Sequence, residues 1–203
     1  MMPHTPSQDR SLDMIVEDTE TTARFLSRLR MARMLAAGSN DVPLLRTIRR
    51  HLLIKLLRAP NLRMGSHVRL DRSHPNLGGR LYLGSAVEIG PRCILDISGG
   101  IDIRDAVTVS EDSLLLSHDH NFDDPDVHWR DQGQTAKPLT IGEGAWIGAR
   151  STLVGAGTIG AGAVIGATSL VTRPVEPNVL ALGSPARPIR LRGTRRVAPT
   201  GDE

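Results

Sequence analysis

The stretch Ile141–Thr172 reads IGEGAW IGARST LVGAGT IGAGAV IGATSL VT. An aliphatic residue returns at every sixth position: Ile141, Ile147, Leu153, Ile159, Ile165 and Val171. Gly follows most of them (Gly142, Gly148, Gly160, Gly166), with Val154 in the slot once. A small residue stands four positions on, at Ala145, Ser151, Gly157, Ala163 and Ser169. A period of six matches neither a helix nor a simply alternating strand. It matches a solenoid in which each hexad is one short strand and a tight turn. The aliphatic side chain points inward, and the small residue fits a crowded corner. One unit cannot bury its own face, so the core forms only by stacking.

The same period runs upstream. Met64 and Leu70 are in phase, and the phase breaks at Ser73-His-Pro-Asn. It resumes with Leu83, Ile89, Leu95 and Ile101, then resets by two residues to Ile103, Val109 and Leu115. Residues 61–172 therefore read as an all-β solenoid, a parallel β-helix of about six coils. One long loop interrupts it at residues 117–138, SHDHNFDDPDVHWRDQGQTAKP. This loop carries three of the seven His, five Asp and one of the two Trp. Stacking does not need a polar insertion, so the loop is the first place to look for function.

The rest of the 203-residue chain is arranged around this coil. Residues 1–20 are polar and read as disordered. Residues 21–60 read as two helices capping the open end of the solenoid. Gly38 stops the first, Asp41 is placed to cap the second, and Pro43 suits its first turn. The second helix carries Arg46, Arg49, Arg50, Lys55 and Arg58 around an apolar stripe. Such a helix can lie on an anionic membrane. Packing on the first helix and the coil is the preferred reading, because an uncapped solenoid end exposes a pairing edge. Residues 173–203 hold Pro174, Pro177, Pro185 and Pro188, which exclude a long helix.

Aromatic content of 2% suits a thin aliphatic stack better than a large globular core. Cys93 is the only cysteine, so no disulfide forms within the chain. No apolar run is long enough to span a bilayer, and the expected location is cytoplasmic. The net charge is +3, but no nucleic-acid module is recognisable, and no nucleic-acid partner is expected.

His118 and His120 sit where the coil opens into the loop. Imidazole is the natural general base near neutral pH, and acyl transfer to a hydroxyl needs one. The hexads, SHDHNFDDPD, IGEGAWIG and LALGSPARPIR together resemble the hexapeptide-repeat acyltransferases, in particular their sugar and polysaccharide O-acetyltransferase branch. The resemblance covers about residues 83–190 and leaves out the N-terminal helices. It implies a left-handed β-helix, a homotrimer with sites between subunits, acetyl-CoA as acyl donor and no required metal. It implies His120 as the base, with His118 as the second choice. Trp146, Gly148 and Ala149 match the corner along the pantetheine arm, Ala167 a backbone contact to that arm, and Thr172 a position close by. Gly183, Pro185, Arg187 and Arg190 match the ending whose basic side chains reach the CoA phosphates. Gly90 stands where the galactoside-type members carry an acceptor-holding Asn, so Asp123, Asp124, His128 and Trp129 become the acceptor-binding candidates.

The expected activity is acetyl transfer from acetyl-CoA to a hydroxyl of a sugar or glycan precursor. One alternative is a metal-dependent hydratase resembling the γ-class carbonic anhydrases. It would need three His from separate coils and neighbouring subunits, a spacing that His118, His120 and His128 do not offer. The other is a non-enzymatic scaffold that touches a membrane or partner through its basic helix.

Overall fold

The computed structural model describes residues 19–38 and 43–194. The predicted disordered start, the cap at Asp41 and the tail after Thr194 lie outside the described residues. Helix α1 spans Thr19–Ala37 and α2 spans Pro43–Leu57. Neither is long and apolar enough to cross a membrane.

The chain then winds through three faces in turn. Strands β1 (Arg63–Met64), β2 (Arg69–Asp71) and β3 (Leu81–Leu83) form the first coil. Strands β4 (Glu88–Ile89), β5 (Ile94–Asp96) and β6 (Ile101–Ile103) form the second. The third begins with β7 (Thr108–Val109) and β8 (Leu114–Leu116). It is interrupted by a hairpin of β9 (His118–His120) and β10 (Gln134–Ala136), and closes with β11 (Leu139–Ile141). Strands β12 (Trp146–Ile147), β13 (Thr152–Val154) and β14 (Thr158–Ile159) form the fourth. A fifth follows in β15 (Val164–Ile165), β16 (Leu170–Val171) and a bridge from Val175 to Ile159. Strand β17 (Val179–Gly183) pairs parallel with β15, and β18 (Ala186–Leu191) folds back antiparallel on β17.

The result is three parallel sheets, and the register explains the hexad. On the first face Met64, Ile89, Val109, Ile147, Ile165 and Ala181 stand in line. Leu70, Leu95, Leu115, Leu153 and Val171 line the second face, and Leu83, Ile103, Ile141 and Ile159 the third. All of these residues are buried. Gly follows the aliphatic residue because the next coil passes too close for a side chain. A Cβ on Gly142 would stand 2.5 Å from the Ala161 nitrogen, and one on Gly148 2.6 Å from the Ala167 nitrogen. The parallel ladder continues past Val171 into β17, so the segment expected to begin at 173 still belongs to the coil at its start. The inserted segment is not simply a loop, because its two ends zip into the β9–β10 hairpin.

The two helices sit on the first coil. Leu29, Ala32 and Leu53 are buried in one cluster with Leu62 and Met64. Arg49 is buried there despite its charge, and its guanidinium donates to the carbonyls of Leu35, Met64 (3.2 Å) and Gly65 (2.7 Å). Arg28 donates to the Leu56 carbonyl at 2.7 Å. Both guanidinium groups thus serve backbone acceptors that the helix ends and coil edge would otherwise leave unpaired.

Candidate active site

Three consecutive passes of the second face end at one corner of the coil, and the candidate site is built there. After β2 the chain makes a short 3-10 turn at Pro75–Leu77, with His74 just before it. After β5 it bends at Ile97–Gly100, and after β8 it opens into the hairpin. Asp96 is in register with Leu116, which brings Ser98 and His118 side by side.

Asp96 is the buried anchor of this corner. Its Oδ1 accepts from the Ser98 hydroxyl (2.6 Å) and the Ser98 backbone N–H (3.0 Å). Its Oδ2 lies against Nδ1 of His118, a close polar contact whose geometry is not that of a regular hydrogen bond. The Ser98 hydroxyl also accepts from the His74 backbone N–H at 3.1 Å. Ser117, fully buried, donates to the Asp96 carbonyl (2.5 Å) and accepts from Gly99 N–H (2.9 Å). A carboxylate on one imidazole nitrogen fixes the ring and leaves the other nitrogen to face outward.

Three histidines converge in front of Asp96. Ring centroids lie 4.6 Å apart for His74 and His118, 5.3 Å for His74 and His120, and 5.6 Å for His118 and His120. Burial in this group holds the His74 imidazole below its ordinary value, and the two neighbouring histidines add to that against Asp96. The Nδ1 of His120 is buried without a hydrogen-bond partner. Trp129 meets His120 edge to face at 5.5 Å and stacks on His128 at 5.5 Å.

The structure thus brings together His118, His120 and Trp129, and adds Asp96 and His74, which the sequence reading did not single out. The expectation of poor spacing for a three-histidine group does not hold among the described residues. It counted His128, which instead accepts from Arg130 N–H at 3.2 Å; His74, from an earlier coil, completes the trio. Of the other loop candidates, Asp124 is used within the loop, accepting from Asp126 N–H at 3.0 Å. Asp123 is exposed.

The predicted cofactor positions form a surface mostly along the first face; Thr172, after β16, instead ends a pass of the second face, whose earlier passes carry the histidine corner. Trp146 is half exposed on β12, with its indole N–H donating to Ser110 Oγ at 2.9 Å. Gly148 and Ala149 follow it at the corner, and Ala167 lies one coil on, its exposed amide donating no hydrogen bond among the described residues. Thr172 is exposed after β16. Gly183 and Pro185 form the turn between β17 and β18, and Arg187 and Arg190 are exposed on β18. Their guanidinium groups donate to the nearby carbonyls of Ala186, Leu191 and Thr194, and no carboxylate neutralises them among the described residues. No hydrogen bond, ion pair or ring contact joins this surface to the histidine corner among the described residues.

No family model matches the chain. In sequence it is similar to a probable acetyltransferase of Mycobacterium tuberculosis, 30% identical over 114 residues, or 56% of this chain and 38% of that one. It is also similar to the galactoside O-acetyltransferase of Escherichia coli, 49% identical over 53 residues, or 26% of each chain. The chain therefore spans less than two thirds of the curated relatives it matches first. In structure it is similar to a maltose O-acetyltransferase from Clostridium difficile, with a TM-score of 0.66, 22% identity, and coverage of 86% of this chain and 89% of that one. The resemblance read from the hexads holds: over part of its length this chain is similar to proteins named acetyltransferases, and it has the fold of one that acetylates a sugar.

Proposed function

We propose that the chain is an acetyl-CoA-dependent O-acetyltransferase acting on a hydroxyl of a sugar or glycan precursor. The observation that carries this reading is His118 backed by the buried Asp96 at the mouth of the inserted hairpin. It favours His118 over His120 as the base, because only His118 has a carboxylate to orient its ring and to stabilise the imidazolium. The relatives' names supply the reaction class and the sugar acceptor.

In this mechanism the outward nitrogen of His118 takes the proton from the acceptor hydroxyl. The oxygen attacks the thioester carbonyl, and a backbone N–H stabilises the tetrahedral oxyanion. Collapse expels the CoA thiolate, which takes the proton back from His118. Trp129, at the edge of His120, is placed to lie against a sugar ring.

The donor surface fits acetyl-CoA by its chemistry. Trp146 offers a flat apolar wall, the Ala167 amide a free donor, and Arg187 and Arg190 charges that pair with phosphate. The resemblance to the hexapeptide-repeat acyltransferases adds a homotrimer whose sites are completed by a neighbouring copy. A left-handed winding and a cytoplasmic location belong to the same reading.

The test is thiol release from acetyl-CoA over a panel of sugars and nucleotide sugars. Acceptor-dependent release that is lost in His118→Ala and retained in His120→Ala supports the assignment. Loss only in His120→Ala moves the base by two residues and keeps the reaction. No release with any acceptor, together with no binding of CoA, overturns the reading.

A further inference from the structure

We propose that His74, His118 and His120 bind a divalent cation of the zinc class, and that the bound cation switches acetyl transfer off by taking the lone pair of the base. The second half rests on the acetyltransferase reading; the site itself does not.

One ring nitrogen from each of the three residues lies within 4.8 Å of the other two. Nitrogens around a tetrahedral zinc ion stand about 3.4 Å apart, given bonds of roughly 2.0–2.1 Å. The cluster therefore closes on a cation by small side-chain adjustments, and all three imidazoles are only partly buried. Imidazole suits zinc, cobalt, nickel and copper, and the group found among the described residues consists of imidazoles, not of the oxygen ligands that calcium or magnesium favour.

The surroundings are those of a supported ligand set. Asp96 sits behind His118 as carboxylates sit behind metal-bound histidines, fixing which nitrogen faces the group. Ser98 ties the His74 backbone to that same carboxylate. His118 and His120 alternate along β9, so both project from the same side of the strand. The buried Nδ1 of His120 has no partner, a nitrogen with unused bonding capacity at the cluster. The acetyl-transfer chemistry has no task for His74, and a third imidazole completes the minimum set for a tightly held cation.

The experiment uses the full chain, without a histidine tag and freed of metal with a chelator. Cobalt(II) chloride is titrated and followed by visible absorbance, and zinc chloride is titrated by calorimetry. One cation per chain is expected, with the intense absorbance of tetrahedral cobalt. In His74→Ala the affinity falls roughly tenfold or more. Zinc inhibits the wild type, EDTA restores it, and His74→Ala resists inhibition. His51→Ala, a change at an exposed histidine on α2, binds as the wild type does. No binding by the wild type, or equal binding by a folded His74→Ala, overturns the site. Binding with undiminished or increased acetyl transfer overturns the switch. If no acceptor supports thiol release at all, the acetyltransferase reading fails while the cobalt titration still decides the site.

Discussion

Oδ2 of Asp96 lies against Nδ1 of His118, and the other oxygen of that carboxylate is held by the backbone and hydroxyl of Ser98. The carboxylate cannot turn away from the ring without giving up both Ser98 donors. In kinetic terms, His118→Ala should lower kcat by about 10²–10⁴-fold. Asp96→Asn should lower it by about 10–100-fold, since the ring remains but is poorly oriented. Thiol-release kinetics, with thermal melts to confirm folding, check both. Equal activity in Asp96→Asn and wild type would remove the carboxylate from the mechanism.

A methyl group at residue 99 would meet the coil beneath the site. A Cβ on Gly99 would stand 1.7 Å from the Ser117 carbonyl oxygen, which itself accepts from Lys137 N–H at 2.7 Å at the base of the hairpin. Gly99→Ala should therefore push the hairpin off the corner and abolish acetyl transfer. Gly144→Ala is the contrast, with nothing within 4 Å but a φ of +64°. It should cost only about 1 kcal/mol of stability from left-handed strain and leave activity intact. Paired denaturation and activity measurements separate the two.

Arg187→Ala and Arg190→Ala should each raise KM for acetyl-CoA, on the order of tenfold at low salt, because a charge-assisted bond to phosphate is worth about 1.5 kcal/mol or more. The effect should shrink as salt rises, since both side chains are exposed. Neither change should move kcat. A drop in kcat at saturating donor would place these residues at the reacting centre instead.

In the interior, Leu115 stacks between Leu95 and Leu153 and is fully buried. Leu115→Ala should lower unfolding stability by about 2–5 kcal/mol, read as a lower urea midpoint with an unchanged m-value.

Cys93 offers a test by pH. Its Sγ donates to the Ser110 carbonyl at 3.0 Å, and burial pushes the thiol up from 9.0 to about 11. The native thiol keeps its proton where the unfolded one has lost it. Stability should therefore fall as pH climbs from about 9 to about 11. At neutral pH Cys93 should not react with a disulfide reagent until the protein is unfolded. Rapid labelling of the native protein would contradict the buried position.

The coil was legible from the hexads because the aliphatic ladder repeats without exception where it matters: Ile141, Ile147 and Leu153 occupy the three faces in order. The helices were legible from their apolar spacing, and the inserted segment from its polarity. The partner of His118 was not, because Asp96 is 22 positions upstream and meets it only through coil stacking. One signal was available. Leu95 pairs with Leu115, so a residue just after one falls beside a residue just after the other. His74 hid in the phase break at Ser73-His-Pro-Asn, which reads as a lapse in the repeat but marks the corner where the later hairpin opens. The choice between His118 and His120 was equally hidden, since both alternate onto one side of β9.

The two ends of the coil are closed by different means, and this decides how long the stack can grow. A hexad coil is its own template, and each open rung could accept the first rung of another copy. Here α1 and α2 sit on the first rung, with Arg49 occupying its backbone carbonyls. At the far end β18 turns antiparallel and carries Pro188, which has no N–H to offer. The length of the molecule is thus set by its terminators and not by its repeat, and a chain trimmed of residues 1–60 should pair through its opened first rung, while the end closed by β18 stops longer stacks.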